Sequence, residues 1–260
     1  MENTRLDAIV TDVLESLDRV IAEHRVTEDE WRLFVAWLTE AGTQPNEIPL
    51  LLDVHLGAAV DEVNNGTVSG TENTLEGPFY VAGAPMLTAP YVLPMRPDEP
   101  GERLVFSGTV RSTGGTPLGG AMLDVWQVSP EGGYSHFHPG YPDYNLRGRL
   151  ATDGEGRFEV LTVVPTPYEI PKGGATGRLL AAMGRTAYRP AHLHLKLTCE
   201  GHRTLTTQVY IEGDPWLGRD AVLGTDKPAL VARLVRDGGG GPARCTFDFV
   251  LEPAPAAVPA

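Results

Sequence analysis

Two short histidine patterns carry the most chemical content in this sequence. Arg189-Pro190-Ala191-His192-Leu193-His194-Leu195 sets two imidazoles two residues apart. In a strand, successive side chains alternate faces, so His192 and His194 share one face while Leu193, Leu195 and Leu197 point into a core on the other. Two imidazoles about 7 Å apart along one strand face can both reach a single metal ion. A second pair sits in Gly133-Tyr134-Ser135-His136-Phe137-His138-Pro139, a stretch that reads as a loop. The two pairs together suggest a four-histidine site for zinc or copper. The second pair alone reads as a solvated loop, and the pattern leaves a mixed ligand set equally open.

The elements that must position these residues fall into two kinds. Leu6, Ile9, Val10, Val13, Leu14, Leu17, Val20 and Ile21 recur at three- and four-residue steps, which predicts an amphipathic helix. Thr27-Glu28-Asp29-Glu30 is a capping box that opens a second helix through Trp31, Phe34, Val35 and Leu38, stopping near Gly42. A third helix is expected from Pro49 to Asn64-Asn65-Gly66, carrying Leu50, Leu51, Val54 and Val63. Residues 77–101, rich in proline and glycine, predict an ordered connector. Beyond it, strands are expected over 104–110, 121–128, 157–164, 191–198, 205–211 and 245–251, separated by turns such as Asp153-Gly154-Glu155-Gly156. Six short strands without intervening helices predict an antiparallel β-sandwich. The fold class is therefore α+β: a helical region over residues 1–75 and a β-sandwich catalytic region over residues 76–260, with a Pro/Ala-rich tail from Pro253 expected to fray.

Composition narrows the function. The 260 residues are 42% apolar and 21% charged, enough for a sizeable core. A net charge of −13 argues against nucleic acid and anionic membrane surfaces as partners. Cys199 and Cys245 read as two buried, reduced thiols. Acidic residues interrupt the first segment, so neither a signal-peptide core nor a membrane span is expected, and the cytoplasm is the expected location.

Six segments, in order, resemble one known family. They are the run from Glu76 to Pro85, Leu123-Asp124-Val125-Trp126-Gln127, Gly133 to Phe137, Val164-Pro165-Thr166-Pro167-Tyr168, Arg189 to His194, and Gly201 to Gln208. Together they are similar to the intradiol ring-cleavage dioxygenases: catechol, chlorocatechol and hydroxyquinol 1,2-dioxygenases. The resemblance spans Trp31 to Lys227. It implies an Fe(III) cofactor, one per subunit, on Tyr134, Tyr168, His192 and His194, which sets aside the four-histidine site. Hard phenolate oxygens suit ferric iron, and two of them cancel two of its three charges. The resemblance further implies cleavage of a catechol-type diol by O₂ to a cis,cis-muconate, with Tyr168 leaving the metal as the diol binds. Arg189 would stabilise charge on the substrate ring, and Gln208 would tune the iron shell from behind. Leu75, Pro78, Phe79 and Tyr80 match a pocket-lining stretch. Trp126 receives no role beyond packing.

One run departs from the catechol branch. Asp220-Ala221-Val222-Leu223-Gly224 lacks the aromatic residue typical there, and Ala221 and Val222 in the pocket would leave room for a ring substituent. That run is more similar to the chlorocatechol and hydroxyquinol branches, whereas Glu76 to Pro85 resembles the catechol branch; catechol is the expected substrate, with substituted catechols tolerated and hydroxyquinol or chlorocatechol as the alternative. Residues before Gly66 are expected to form a homodimer contact and to enclose a lipid-like molecule, again by resemblance. A zinc or copper enzyme and a non-catalytic β-sandwich binding module are the competing readings.

Overall fold

The computed structural model describes residues 4–66 and 69–254; the tail beyond Ala254 lies outside them. The chain divides after Ile48 into two compact units. The first carries helices α1 (Thr4–His24) and α2 (Glu28–Thr43). The capping box is formed as the sequence predicts: the Glu30 N–H donates to the Thr27 hydroxyl at 3.3 Å, and the Thr27 N–H donates to the Glu30 carboxylate at 2.8 Å. Within the described chain the apolar stripe of α1, from Leu6 to Ile21, is exposed, as are Trp31, Phe34 and Leu38 of α2.

The third expected helix is a broken one. Helix α3 (Glu47–Leu52) runs into a π-helical turn, Asp53–Gly57, and resumes as α4 (Ala58–Asn65). Pro49 is tolerated because it sits in the first turn, where its missing N–H has no intrahelical partner to lose. The π turn directs the Val54 carbonyl toward the Leu223 N–H, which donates to it at 3.1 Å. Such turns are frequently found at functional sites.

Thirteen strands follow: β1 (Tyr91–Val92), β2 (Arg103–Ser112), β3 (Met122–Trp126), β4 (Arg147–Ala151), β5 (Arg157–Val163), β6 (Tyr168–Glu169), β7 (Tyr188–Arg189), β8 (His192–Thr198), β9 (Leu205–Ile211), β10 (Val231–Ala232), β11 (Leu234–Val235), β12 (Ala243–Thr246) and β13 (Phe249–Leu251). One sheet runs β1-β5-β2-β12-β11, with β13 also on β2; the second runs β10-β9-β8-β3-β4; β6 and β7 make a separate ribbon. Leu104, Phe106 and Val160 of the first sheet pack with Leu123, Val125, Leu193, Leu195, Leu197 and Val209 of the second in one buried cluster. This is the β-sandwich core.

Three expectations need correction. The sheets are mixed, because β1 lies parallel to β5, β10 to β9, and β12 and β13 to β2. Turn signals report hairpins between neighbouring strands; these parallel pairs join segments distant in sequence, so no local turn announces them. The strands are also interrupted by a short helix, α5 (Ala175–Ala182). Finally, the single strand expected over 245–251 is two. Phe247 and Asp248 bulge against Gly108, where a side chain would strike the Phe247 carbonyl, and Asp248 accepts from the Thr109 N–H and hydroxyl, each at 2.8 Å.

Candidate metal centre

The histidine half of the site follows from register. Arg147 of β4 lies opposite Trp126 of β3, which lies opposite His194 of β8, which lies opposite Gln208 of β9. These four side chains form one transverse row on one face of the sheet, while the adjacent row, Val125, Leu195 and Thr207, faces the other way. His192 shares the face of His194 and pairs with Tyr210. Both imidazoles are 1% exposed, and their Nε2 atoms approach to 3.0 Å. The Nδ1 of His192 lies 2.6 Å from the Pro190 carbonyl. A carbonyl only accepts, so Nδ1 carries the proton and Nε2 presents a lone pair toward His194. Trp126 stacks on the His194 ring, with centroids 4.8 Å apart and planes 10° from parallel.

The tyrosine half comes from irregular segments. Tyr134 lies in the loop between β3 and β4, and Tyr168 in β6, directly across the ribbon from Arg189 of β7. Their rings are 5.4 Å apart at 81°; Tyr134 is 6.2 Å from the His194 ring, and Tyr168 is 5.8 Å from that of His192. The four side chains named from the sequence thus converge in one buried place. The Tyr134 hydroxyl and His194 Nδ1 have no hydrogen-bond partner among the described residues.

The electrostatics show what this place lacks. Burial, reinforced by neighbouring Tyr168, pushes the Tyr134 phenol well above its ordinary value. Burial, then the Arg189 charge, pulls His192 well below 6.5; burial, then His192, does the same to His194. All three are therefore neutral in isolation. Neutral imidazole nitrogens are ready to ligate, and a nearby multivalent cation reverses the phenol shift by favouring its anion. An orphaned phenol beside two converging imidazole nitrogens fits a hard trivalent ion with mixed N and O preference.

Around this place, Arg189 is held in a dense network. It meets Asp220 through Nε at 3.1 Å and Nη2 at 3.0 Å, and Nη2 also donates to Gln208 Oε1 at 2.8 Å, Tyr210 Oη at 3.1 Å and Thr225 Oγ1 at 3.3 Å. Burial works against its charge, but Asp220 leads the groups that keep the guanidinium firmly protonated. Gln208 also donates to the Leu75 carbonyl at 2.9 Å. Leu75, Phe79, Tyr80, Ala221 and Val222 pack in the same apolar cluster as Tyr134 and Tyr168. Phe79 stacks on Tyr134 at 4.6 Å, while Pro78 is exposed beside it. The Tyr80 hydroxyl donates to Asp124 at 3.1 Å.

Sequence reasoning passed over Arg147, Trp126, Tyr210, Asp220 and the helix residues Leu50 and Val54, which join that apolar cluster. Only the pairing of distant strands, or the return of α3 and the π turn, brings them here. The second histidine pair stays outside. His136 Nε2 accepts from the Tyr144 N–H, His138 Nδ1 accepts from the Tyr134 N–H, and both residues are exposed. Among the described residues, no group of three or more His, Cys, Asp or Glu is placed to hold a metal. The four-histidine site is therefore not formed.

The family models that match this chain put it in the dioxygenase class of oxidoreductases. Residues 3–72 match the family model described as "Catechol dioxygenase N terminus", and residues 75–253 match the one described as "Dioxygenase". The chain belongs to the intradiol ring-cleavage dioxygenases. It is 42% identical over 224 residues to chlorocatechol 1,2-dioxygenase of Rhodococcus opacus, covering 85% of this chain and 87% of that protein. It is 37% identical over 248 residues to catechol 1,2-dioxygenase 1 of Acinetobacter lwoffii, covering 91% and 79%. The crystal structure of 3-chlorocatechol 1,2-dioxygenase from Rhodococcus opacus superposes with a TM-score of 0.92 at 40% identity, covering 97% of this chain and all of that one. No helix among the described residues is long and apolar enough to cross a membrane.

Proposed function

We propose that the protein holds one Fe(III) per subunit on Tyr134, Tyr168, His192 and His194. With it the enzyme cleaves catechol and ring-substituted catechols between their hydroxyl carbons, using O₂, to cis,cis-muconates. The observation that carries this reading is the convergence of the two buried Nε2 atoms, 3.0 Å apart, beside Tyr134, whose ring is 6.2 Å from that of His194 and whose hydroxyl has no hydrogen-bond partner among the described residues. When bound, ferric iron supplies Lewis acidity and a chelating position for the two diol oxygens.

The chain's own residues do the rest. Tyr168, in a two-stranded ribbon and 5% exposed, is the tyrosine free to swing and take a diol proton on its phenolic oxygen. Tyr134, 1% exposed beneath Phe79, stays fixed. Arg189, locked by Asp220, Gln208 and Tyr210, offers a permanent positive charge toward the reacting ring without reorganising. Leu75, Pro78, Phe79, Tyr80, Ala221 and Val222 form the pocket wall, and the apolar ones among them exclude water. Ala221 is smaller than the aromatic residue typical of the catechol branch at this place, which supports tolerance of a substituted ring. The similarity to a chlorocatechol 1,2-dioxygenase supports the same tolerance, and makes chlorocatechol and hydroxyquinol the alternative preferred substrates.

The test is a visible spectrum of purified, iron-loaded protein before and after anaerobic catechol, followed by turnover of catechol, chlorocatechol and hydroxyquinol. A tyrosinate-to-iron band that shifts on catechol addition, and ring cleavage of catechol, are the expected results. Turnover of hydroxyquinol with none of catechol overturns the ranking, and a colourless or blue protein carrying zinc or copper overturns the site.

We further assign residues 1–75 to dimerisation and 76–260 to catalysis, supported by the exposed apolar stripe of α1. The dimer forms through residues before Gly66 and encloses a lipid-like molecule. Light scattering at the dimer mass, and acyl chains in an organic extract, are expected; a monomer removes both claims. The free thiols of Cys199 and Cys245 fit the reducing cytoplasm, where the enzyme is placed.

A further inference from the structure

Arg147 is a charged side chain sealed inside the molecule, 1% exposed. A buried guanidinium ordinarily pairs with a carboxylate. Among the described residues Arg147 has no such pair. Its fork is engaged on three neutral acceptors: Nε donates to the Ser135 hydroxyl at 2.9 Å, Nη2 to the Ser135 carbonyl at 3.1 Å, and Nη1 to the Phe79 carbonyl at 2.7 Å. The first two belong to the residue that follows Tyr134; the third belongs to the residue whose ring stacks on Tyr134. The guanidinium carbon itself lies 5.6 Å from the centre of the Tyr134 ring.

The parts Arg147 joins lie far apart in the sequence, and it adds a third tie to the Glu99 bonds and the Phe79–Tyr134 stack that already hold loop and connector together. Ser135 is anchored within its own loop: its hydroxyl donates to the Asn145 carbonyl at 3.0 Å, and the Asn145 amide donates to buried Glu99 at 3.0 Å. The Ser129 hydroxyl donates to the same carboxylate at 2.7 Å. The loop from Ser129 to Asn145 is thus closed on Glu99. Phe79 belongs to the connector, more than fifty residues earlier in the chain. Arg147 stands at the start of β4, fixed by register opposite Trp126 and one strand further from His194. It therefore ties loop and connector to the row that carries the histidine.

We infer that Arg147 is a positioning residue for the tyrosine half of the site: its fork sets the Tyr134 ring and the Phe79 pocket wall in one fixed arrangement relative to His194. The inference rests on the iron-binding reading above. Lysine cannot replace the arginine, because a single ammonium on a flexible stem does not present three donors in a fixed plane. Burial pulls the Arg147 guanidinium down to about 10, which leaves it charged at neutral pH.

The experiment compares iron-loaded full-length wild type, Arg147→Lys and Ser135→Ala by iron content, visible absorption maximum, KM and kcat for catechol, and melting temperature. Arg147→Lys is expected to bind iron with a displaced, weaker tyrosinate band, and to raise KM for catechol about tenfold, the equivalent of one strong hydrogen bond. Ser135→Ala, which removes the Nε acceptor together with the hydroxyl's bond to the Asn145 carbonyl but leaves the other two bonds of the fork, moves band and KM in the same direction by less. Arg147→Lys with wild-type band and KM, whatever its melting temperature, overturns the inference and leaves a purely structural arginine. If Arg147→Lys does not fold, Ser135→Ala decides alone: an unchanged band and KM overturn the inference. A wild type without the band overturns the iron reading, and the role of Arg147 with it.

Discussion

The sequence contains the His-x-His pattern twice, and the two copies meet opposite fates. His192 and His194 lie in β8, where the alternation of an extended strand brings both rings to one buried face. His136 and His138 lie in a tight turn at the surface, where His136 adopts a left-handed backbone, φ 69°, and its ring packs against Tyr144. In the strand, the ladder hydrogen bonds are made with β3 and β9, and although His192 Nδ1 donates to the Pro190 carbonyl, both Nε2 atoms are left to face each other. In the turn, the backbone has no ladder partners, and the imidazoles serve it instead by accepting from Tyr134 and Tyr144. Spacing in sequence is thus no guide to ligation until the backbone's own hydrogen bonds are accounted for.

That contrast can be broken or sharpened by substitution. The largest effect is expected for His194→Ala or His192→Ala. Each should lose stoichiometric iron and ring cleavage, by well over the roughly 100-fold that even supporting residues around a metal cost. Iron analysis and the visible band check this, and retained iron in either variant would falsify the contrast outright. Next is Asp220→Asn, which leaves Arg189 buried beside the strand pair without its carboxylate. A cost of about 3–5 kcal/mol is expected by urea denaturation, since breaking one side of a buried ion pair leaves an uncompensated charge.

A comparable effect, accumulating gradually over the acid range, is expected on acidification of the iron-free protein. His192 and His194 are held well below their ordinary value of 6.5 in the fold. The unfolded chain therefore binds protons that the folded one does not. Stability is full above that pH and falls as pH drops below it, by up to about 1.4 kcal/mol per pH unit for each histidine. Thermal melts of wild type and the double variant His192→Asn/His194→Asn should differ in slope, the variant being flatter between about pH 6.5 and 4.5. Parallel slopes would show that the pair does not titrate on unfolding. The smallest effect belongs to His136→Ala: a change in stability within about 0.5–1 kcal/mol and unchanged iron content. Loss of iron here would mean that the loop pair reaches the metal after all.

What was legible in the sequence was whatever is encoded locally. The capping box at Thr27, the strand at Leu205–Ile211 and the shared face of His192 and His194 all follow from periodicities of a few residues. Tyr134 and Tyr168 were found by resemblance, since neither sits in a pattern that singles it out. The rest depended on where distant segments meet. Strand β4, Arg147-Gly148-Arg149-Leu150-Ala151, carries two arginines and a glycine and does not look like a strand; it becomes one because β3 pairs with it. Trp126 read as packing until its register set it on His194. Tyr210 and Asp220 gain meaning only through Arg189. Helix α5 went unseen because its eight residues are too few to show a period among the flanking glycines.

The row Arg147, Trp126, His194 and Gln208 crosses four strands, and the row beside it feeds the core. Slipping β8 by a single residue against either neighbour would turn its leucines outward and its imidazoles inward, dismantling the centre and the hydrophobic interior in one event. With iron held as proposed, its uptake would act as a proofreader of strand pairing: a mispaired chain would acquire no colour, and pigmentation during refolding would report the fraction of molecules whose sheet has been threaded correctly.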